Sequence, residues 1–109
     1  MESKARIVEA YRSNTGKWYF DEWFDSLTLE MQAQIAKRLN RMKEGLFGDT
    51  KPVGEGVTEL RIHVGPGYRV YYGQDDKLVL LLAGSDKSEQ KRTIKLAIDL
   101  WREYKATKK

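Results

Sequence analysis

The sequence lacks cysteine altogether and has a single histidine, His63, among its 109 residues. Without cysteine there is no thiol nucleophile, no cysteine-ligated zinc and no disulfide framework. One imidazole without thiolate partners does not make up the usual ligand set of a transition metal. We therefore expect no bound metal, and any reaction must use other side chains.

Long apolar runs are absent as well. The longest extends from Leu78 to Ala83, far short of the roughly 20 residues that a membrane-spanning helix needs. The first residues, MESKAR, are charged, whereas a secretory signal has an apolar core of ~7–15 residues. Together with the lack of cysteine, these features predict a cytoplasmic protein.

The common motifs of nucleotide-dependent enzymes and hydrolases are also missing. The glycine-containing segments 54–56 and 65–67 lack the third glycine and the strand-to-helix setting of a dinucleotide fingerprint, and no Walker A sequence occurs. The serines and carboxylates show no spacing typical of a catalytic triad or a carboxylate pair. We therefore expect no cofactor.

Positive charge is present and is concentrated near the C-terminus. The net charge is +4, and residues 87–109 carry 8 basic and 3 acidic side chains, whereas residues 1–50 carry 8 of each. A basic segment suits a polyanion partner such as RNA. The alternative is a solvated helix with a lysine tail. The length suits one domain, residues 1–109.

The first half of the chain predicts one strand and two helices. Residues 7–12, IVEAYR, are typical of a short strand. The spacing of an amphipathic helix is followed by Phe20, Trp23, Phe24 and Leu27. A second helix is predicted over residues 28–44, with Thr28 as its N-cap and Gly45 ending it. Glycines and a proline in residues 45–57 predict a connecting loop.

Residues 58–73, TELRIHVGPGYRVYYG, predict a β-hairpin with one dry face and one basic face. Successive side chains of a strand point to opposite faces, which separates Leu60, Ile62 and Val64 from Glu59, Arg61 and His63. With Gly65-Pro66-Gly67 as a three-residue turn, the facing pairs are Ile62–Val70, His63–Arg69 and Arg61–Tyr71. Two guanidiniums, the histidine and a phenol would then share one surface.

The segment from Leu78 to Ala83 is apolar at every position, which predicts an interior strand of the sheet. If Gly73 pairs with Leu78, the facing pairs are Leu80–Tyr71 and Leu82–Arg69, and Lys87 emerges beside His63. A last helix should begin at Asp86 and carry an apolar stripe of Ile94, Ala97, Ile98 and Trp101. The expected fold is α+β, a mostly antiparallel sheet with two N-terminal helices on one face and a C-terminal helix.

The basic face has the groups that cleavage of an RNA phosphodiester requires. The reaction needs a base for the 2′-hydroxyl, an acid for the leaving 5′-oxygen and positive charge for the phosphorane. His63 is suited to proton transfer near neutral pH, and a neighbouring guanidinium favours the neutral ring and hence the base role. Arg61 and Arg69 are suited to the phosphate charge, and Lys87 adds to it.

A second set of side chains is suited to RNA binding rather than to catalysis. Tyr71 can stack on a base, and further positive charge is supplied by Lys91, Arg92 and Lys95. Simpler alternatives stay open at this point. Arg61 can pair with Glu59, Tyr71 can be a packing residue, a lone histidine can be solvated, and Lys87 can simply lie in the first turn of the last helix.

Two segments, GDTKPVGEGVTELRIHVGPGYRVYYG and LVLLLAGSDKSEQKRTIKLAIDLW, resemble the addiction-module killer proteins, a phage-derived group often labelled HigB-like. This group belongs to the RelE/ParE superfamily of toxins from bacterial toxin–antitoxin systems. The resemblance extends from about Phe20 to Tyr104. It is carried by the combination of KPVG, ELRI, GPGYRVYY and DKSEQ.

The resemblance implies a RelE-like fold, metal-independent cleavage of mRNA in the ribosomal A site, and neutralisation by a helix-turn-helix antitoxin. By position, Arg61, His63 and Arg69 match the basic sites of the family's hairpin, and Lys87 matches the basic segment after the last strand. Lys91 falls near the place of a RelE tyrosine.

The sequence also departs from the pattern of this group. Many members have Asp or Asn in place of His63, and the HigB-type histidine near the C-terminus has no counterpart here. Two other functions are compatible with the same fold. ParE relatives poison DNA gyrase instead, and a degenerate toxin would act only as an antitoxin-binding partner.

Overall fold

The computed structural model describes residues 5–108, and the predictions for Met1 to Lys4 and for Lys109 lie outside this range. The first half contains β1 (Ile7–Ala10), α1 (Tyr19–Asp25), α2 (Leu29–Lys43) and β2 (Thr50–Gly54). The second half contains β3 (Val57–Ile62), β4 (Tyr68–Asp75), β5 (Leu78–Asp86), a 3-10 turn (Lys87–Glu89) and α3 (Gln90–Ala106).

One five-stranded sheet forms the centre of the fold, with the strand order β1-β5-β4-β3-β2. All neighbouring strands are antiparallel except β1 and β5, which are parallel. The predicted α+β class with a mostly antiparallel sheet is thereby confirmed. β5 lies between β1 and β4, as its continuous apolar run predicts.

The two faces of the sheet carry separate apolar cores. Side chains of α1 and α2 pack on one face, where the buried cluster includes Phe20, Ile35, Met42, Leu60 and Val70. α3 packs on the other face, where the buried cluster includes Val57, Tyr71, Leu82, Ala97 and Trp101. Within residues 5–108, no helix combines the length and apolarity needed to cross a membrane.

The capping prediction is confirmed at α2, whereas Asp86 caps the 3-10 turn before α3, and α3 itself begins after Glu89 without a side-chain cap. Thr28 Oγ1 accepts a hydrogen bond from the Met31 backbone nitrogen and begins α2. Asp86 accepts from the backbone nitrogens of Ser88 and Glu89, which begins the 3-10 turn that leads into α3. A side-chain acceptor satisfies backbone donors that the first turn leaves unpaired. Asp86 thereby fixes where the chain turns from the sheet into α3.

The prediction of a loop over residues 45–57 is wrong, because this segment contains β2. β2 pairs antiparallel with β3 at the edge of the sheet, where Pro52 is tolerated since one side of the strand needs no donor. The connecting residues Glu55 and Gly56 both have positive φ, as a two-residue hairpin turn of type I′ requires. Glycine and proline here mark an edge hairpin.

Gly84 in β5 allows a tryptophan of α1 to lie directly on the sheet. A Cβ added at Gly84 would overlap the six-membered ring of Trp23. The same ring approaches Tyr68 at a centroid distance of 6.1 Å. This close approach fixes α1 against the end of the sheet at which β5 leaves for α3.

Gly84→Ala should lower the free energy of unfolding by about 1–3 kcal/mol, the usual cost of overpacking a close contact. Chemical denaturation measures this cost. In a Trp23→Leu background the same change should cost less, because the overlapping ring atoms are gone. Equal costs in both backgrounds would contradict the assigned contact.

Candidate functional site

A cavity of about 370 Å³ opens at the end of the sheet where β3 turns into β4. Its lining includes all four side chains predicted to be catalytic, namely Arg61, His63, Arg69 and Lys87, together with Tyr68 and the loop residues Gly65, Pro66 and Gly67. β3, the loop after it, β4 and the 3-10 turn each contribute a charged or ionisable group. Groups from separate elements therefore converge on one volume, as catalytic sites usually require.

The predicted pairing between β3 and β4 is wrong by two residues, although the division into faces is correct. Arg61 lies opposite Arg69, and Ile62 lies opposite Tyr68. The connection is a five-residue loop, residues 63–67, closed by a hydrogen bond from the Gly67 nitrogen to the Val64 oxygen at 2.9 Å. His63 is consequently a loop residue and does not lie opposite Arg69.

The pairing predicted between β4 and β5 is also wrong. Arg69 lies opposite Ser85, and Tyr71 lies opposite Ala83. A bulge between Tyr71 and Tyr72 leaves Leu82 as an extra residue on β5, and such a bulge cannot be predicted from alternation alone. Lys87 still reaches the cavity, because β5 continues to Asp86 before the chain turns.

His63 is held by a carboxylate that the sequence interpretation missed. Its Nε2 lies 2.6 Å from Asp49 Oδ2, and the imidazole side chain is 71% exposed. Asp49 is placed there because its backbone oxygen accepts from the Arg61 nitrogen at 2.9 Å, which extends the pairing of β2 with β3. With an ionised Asp49, Nε2 carries the hydrogen, and Nδ1 is the nitrogen left for a ligand.

The hydrogen bond from His63 also lowers the pKa of the Asp49 carboxyl below its ordinary value, and the charges of Arg61, His63 and Arg38 add to this effect. The sequence gives no sign of Asp49, because it precedes a strand whose glycines and proline predict a loop. Its proximity to His63 follows only from the β2–β3 pairing.

Arg61 and Arg69 share one buried carboxylate, Glu59, which has no exposed surface. Arg61 Nε donates to Glu59 Oε1 at 3.1 Å, and Arg69 Nε lies 3.7 Å from Oε2. Gln90 Nε2, from the first turn of α3, donates to Oε2 at 2.8 Å. The alternative that Arg61 pairs with Glu59 is therefore confirmed. The buried Glu59 carboxylate limits the movement of both guanidiniums.

The two guanidiniums differ in access to solvent. The Arg61 side chain is 31% exposed and that of Arg69 is 13% exposed. Arg69 Nε is buried and has no hydrogen-bond partner among the described residues. Arg69 is therefore the more desolvated cation, and an anion in the cavity would find it less screened by water.

Lys87 differs from the other cations of the cavity because it has no acidic partner within 4 Å among residues 5–108. It is exposed and is the first residue after the Asp86 cap. A cation is unfavourable at the beginning of a helical segment. An anion bound in the cavity would offset this cost.

The prediction that Tyr71 stacks on a base is wrong, because the side chain is fully buried under α3. Its hydroxyl lies 3.3 Å from Ser85 Oγ, and burial raises the pKa of Tyr71 to about 12. Tyr71 thus supports the floor of the site as a packing residue. Sequence alternation placed it on the correct face but did not show that α3 covers that half of the face.

The three cations predicted to bind RNA from α3 lie apart from the cavity. Lys91, Arg92 and Lys95 line a separate, shallow depression on the outer side of α3. Arg92 is also paired with Glu89 at 3.1 Å. Their role in RNA binding stays a prediction, and they do not contribute to the volume around Arg61 and Arg69.

The fold and the cavity define a small α+β protein with a cationic site at one end of its sheet. No family model matches the chain. An uncharacterized protein of Haemophilus influenzae is 49% identical over 80 residues, which cover 72% of this chain and 81% of the relative. The chain belongs to the same family as that protein.

Glu59→Gln should lower the free energy of unfolding by about 1–3 kcal/mol, because a buried acceptor of charge-assisted hydrogen bonds is replaced by a neutral amide. Chemical denaturation at pH 7 measures the loss. The control is Glu55→Gln, which removes an exposed pair with Arg102 and should cost much less, because solvent screens such a pair. Equal costs would show that Glu59 is no more important than a surface carboxylate.

His63→Ala should raise the pKa of Asp49 towards the ordinary value of about 3.9. The lowered pKa means that Asp49 stabilises the folded chain above that value and loses this contribution as the pH falls through the folded pKa. Carboxyl NMR shifts measure the titration. The pKa of Asp75, lowered through Lys108 and Tyr104, is the internal control and should not move. An unchanged Asp49 titration would contradict the contact.

Proposed function

We propose that this protein is the toxin of a type II toxin–antitoxin system and inhibits translation by ribosome-dependent cleavage of mRNA. The observation that carries the proposal is the convergence of Arg61, His63, Arg69 and Lys87 on one open cavity. These are the four positions at which the sequence resembles the basic sites of RelE-type toxins. The alternation of side chains and the resemblance both point to Arg61, His63 and Arg69, and Lys87 follows from the turn after β5.

The proposed reaction is the transfer of a phosphoryl group within RNA, from the 5′-oxygen of one nucleotide to the 2′-oxygen of the preceding one. His63 removes the proton of a ribose 2′-hydroxyl, and the resulting oxygen attacks the adjacent phosphorus. The bond to the 5′-oxygen breaks, leaving a 2′,3′-cyclic phosphate on one fragment and a 5′-hydroxyl on the other. The 5′-oxygen takes up one proton, for which the exposed ammonium of Lys87 is the proposed donor.

Arg61 and Arg69 are proposed to stabilise the phosphorane. A planar guanidinium offers parallel donors to phosphate oxygens, and Glu59 limits the movement of both groups. Donors that are fixed in advance need no reorganisation as charge develops on the phosphate. The shared carboxylate thus fits a role in catalysis as well as in stability.

Dependence on the ribosome is part of the proposal, because the general acid and base here are few and exposed. His63 is mostly open to solvent, so the imidazole does not by itself hold a ribose in place. A ribosome that orients the 2′-hydroxyl would supply this positioning, which accounts for a large part of many catalytic effects. A helix-turn-helix antitoxin would neutralise the protein by covering the cavity or displacing α3.

Inducible expression in growing bacterial cells, with mapping of mRNA 5′ ends, tests the proposal. Wild type should arrest growth and create new mRNA ends. His63→Ala and Lys87→Ala should each reduce cleavage by about 10²- to 10⁴-fold, the usual effect of removing a general acid or base. Both residues are exposed, so these variants should fold.

Arg69→Ala is the third variant and should also abolish new mRNA ends. Because Arg69 contacts Glu59, circular dichroism checks that this variant folds. The variant Arg69→Lys keeps the charge but loses the planar guanidinium, so it separates the two contributions. Growth arrest without new mRNA ends, in wild type and variants alike, would overturn the nuclease proposal. DNA breakage signalling would favour gyrase as the target, and the absence of any growth effect would favour an antitoxin-binding partner.

A further inference from the structure

A second basic cavity, of about 230 Å³, lies directly beside the first. One wall of it is a stripe of α2 that we call the α2 basic stripe, formed by Gln34, Lys37, Arg38 and Arg41. These positions are spaced i, i+3, i+4 and i+7, so they share one face of the helix. All four side chains are hydrogen-bond donors, and three are cations.

The cations of the α2 basic stripe have no acidic partner within 4 Å among residues 5–108. Other exposed cations are divided: some are paired, as Arg92 is with Glu89 and Arg102 is with Glu55, whereas others, such as Lys87, also lack an acidic partner in this range. Lys37 and Arg41 are one turn apart, and like charges at this spacing destabilise a helix. The stripe thus concentrates three positive charges on one helix face without an ion pair, although Arg38 is near enough to Asp49 to help lower the pKa of that carboxyl.

The two cavities are adjacent, because both are lined by Ile62 and His63. His63 stands at their junction and is held there by Asp49. An extended ligand that occupies both cavities would therefore lie beside the imidazole.

We propose that the α2 basic stripe binds the phosphates of single-stranded RNA next to the phosphate held between Arg61 and Arg69. This inference rests on the proposed function. An RNA strand alternates phosphate and ribose, so a ribose lies over His63 when phosphates occupy both cavities. The second cavity would thereby position the 2′-hydroxyl for the imidazole.

The chemistry of the second cavity favours a nucleic acid over a protein segment. Protein interfaces depend on apolar anchors in well-packed pockets, but Ile62 is buried in the core here, and Val64 is the other apolar side chain of the lining. The remaining lining groups are cations, an amide and an imidazole. Such a surface matches the backbone of an RNA strand.

Binding of an RNA that cannot be cleaved tests the proposal directly. The probes are a fluorescent hexanucleotide and a dinucleotide, both with the 2′-oxygens methylated, and fluorescence anisotropy gives their affinities. The triple variant K37A/R38A/R41A should weaken hexanucleotide binding by about 10- to 100-fold near 0.1 M salt and reduce the salt slope by about 2. Dinucleotide binding should not change, because it reaches only the first cavity.

The matched control is K43A/K77A/K105A, which removes the same number of charges from positions that line neither cavity. It should have little effect on the hexanucleotide. Alanine is the best helix former, so the triple variant on α2 should keep its helix, and circular dichroism verifies this.

The outcomes separate this inference from the proposed function. Equal hexanucleotide affinity for wild type, triple variant and control would overturn the inference, whereas wild type could still cleave mRNA. Loss of binding in the triple variant, with no cleavage by wild type in cells, would support RNA binding by the stripe and overturn the nuclease proposal. The inference would be overturned if wild type did not bind the hexanucleotide at low salt. It would also be overturned if the triple variant bound RNA normally and lost affinity only for an acidic peptide.

Discussion

A buried carboxylate, that of Glu59, determines the arrangement of the site. A charge without solvent access must be paired and hydrogen-bonded to be tolerated, and Glu59 meets this requirement with Arg61, Arg69 and Gln90. The partners come from β3, β4 and α3. The same contacts that satisfy the carboxylate therefore fix two guanidiniums at one end of the sheet and tie the start of α3 to them.

The position of α3 explains why the site lies where it does. α3 covers the half of its face that contains Val57 and Tyr71 and leaves the end with the 63–67 loop uncovered. The apolar cluster beneath α3 provides a rigid floor, and the uncovered end provides access. The sheet face that α3 packs on thus has two parts, a charged open end and an apolar part under α3. Glu59 lies between them.

Sequence patterns predicted the faces of the strands better than their pairing. Period-two alternation placed Leu60 and Ile62 in one core and Arg61 on the other face, because burial on one side strongly constrains which side chains point inwards. Pairing depends on loop length and bulges. The loop proved to have five residues instead of three, and the bulge at Leu82 shifted β5, so His63 and Tyr71 were assigned wrong neighbours.

Asp49 and Gln90 were not predicted as site residues, because the sequence around them carries no local signal for their roles. Asp49 reaches His63 only because residues 50–54 form an edge strand. The glycines and the proline in this segment predict a loop instead. Gln90 reaches Glu59 only through the docking of α3. Alternation alone gave Glu59 the correct face, but its burial depends on a helix that follows 31 residues later. Long-range contacts of this kind are decided by packing and not by local propensity.

Side-chain NMR of the arginine Nε and histidine ring nitrogens, during titration with a 2′-O-methylated dinucleotide, provides the most direct measurement. If these residues form one phosphate site, the signals of Arg61, Arg69 and His63 should shift together along one saturation curve, while Arg92 on α3 stays unchanged. Independent curves for the three residues, or shifts at Arg92 without shifts at Arg61 and Arg69, would contradict a single phosphate site at this end of the sheet.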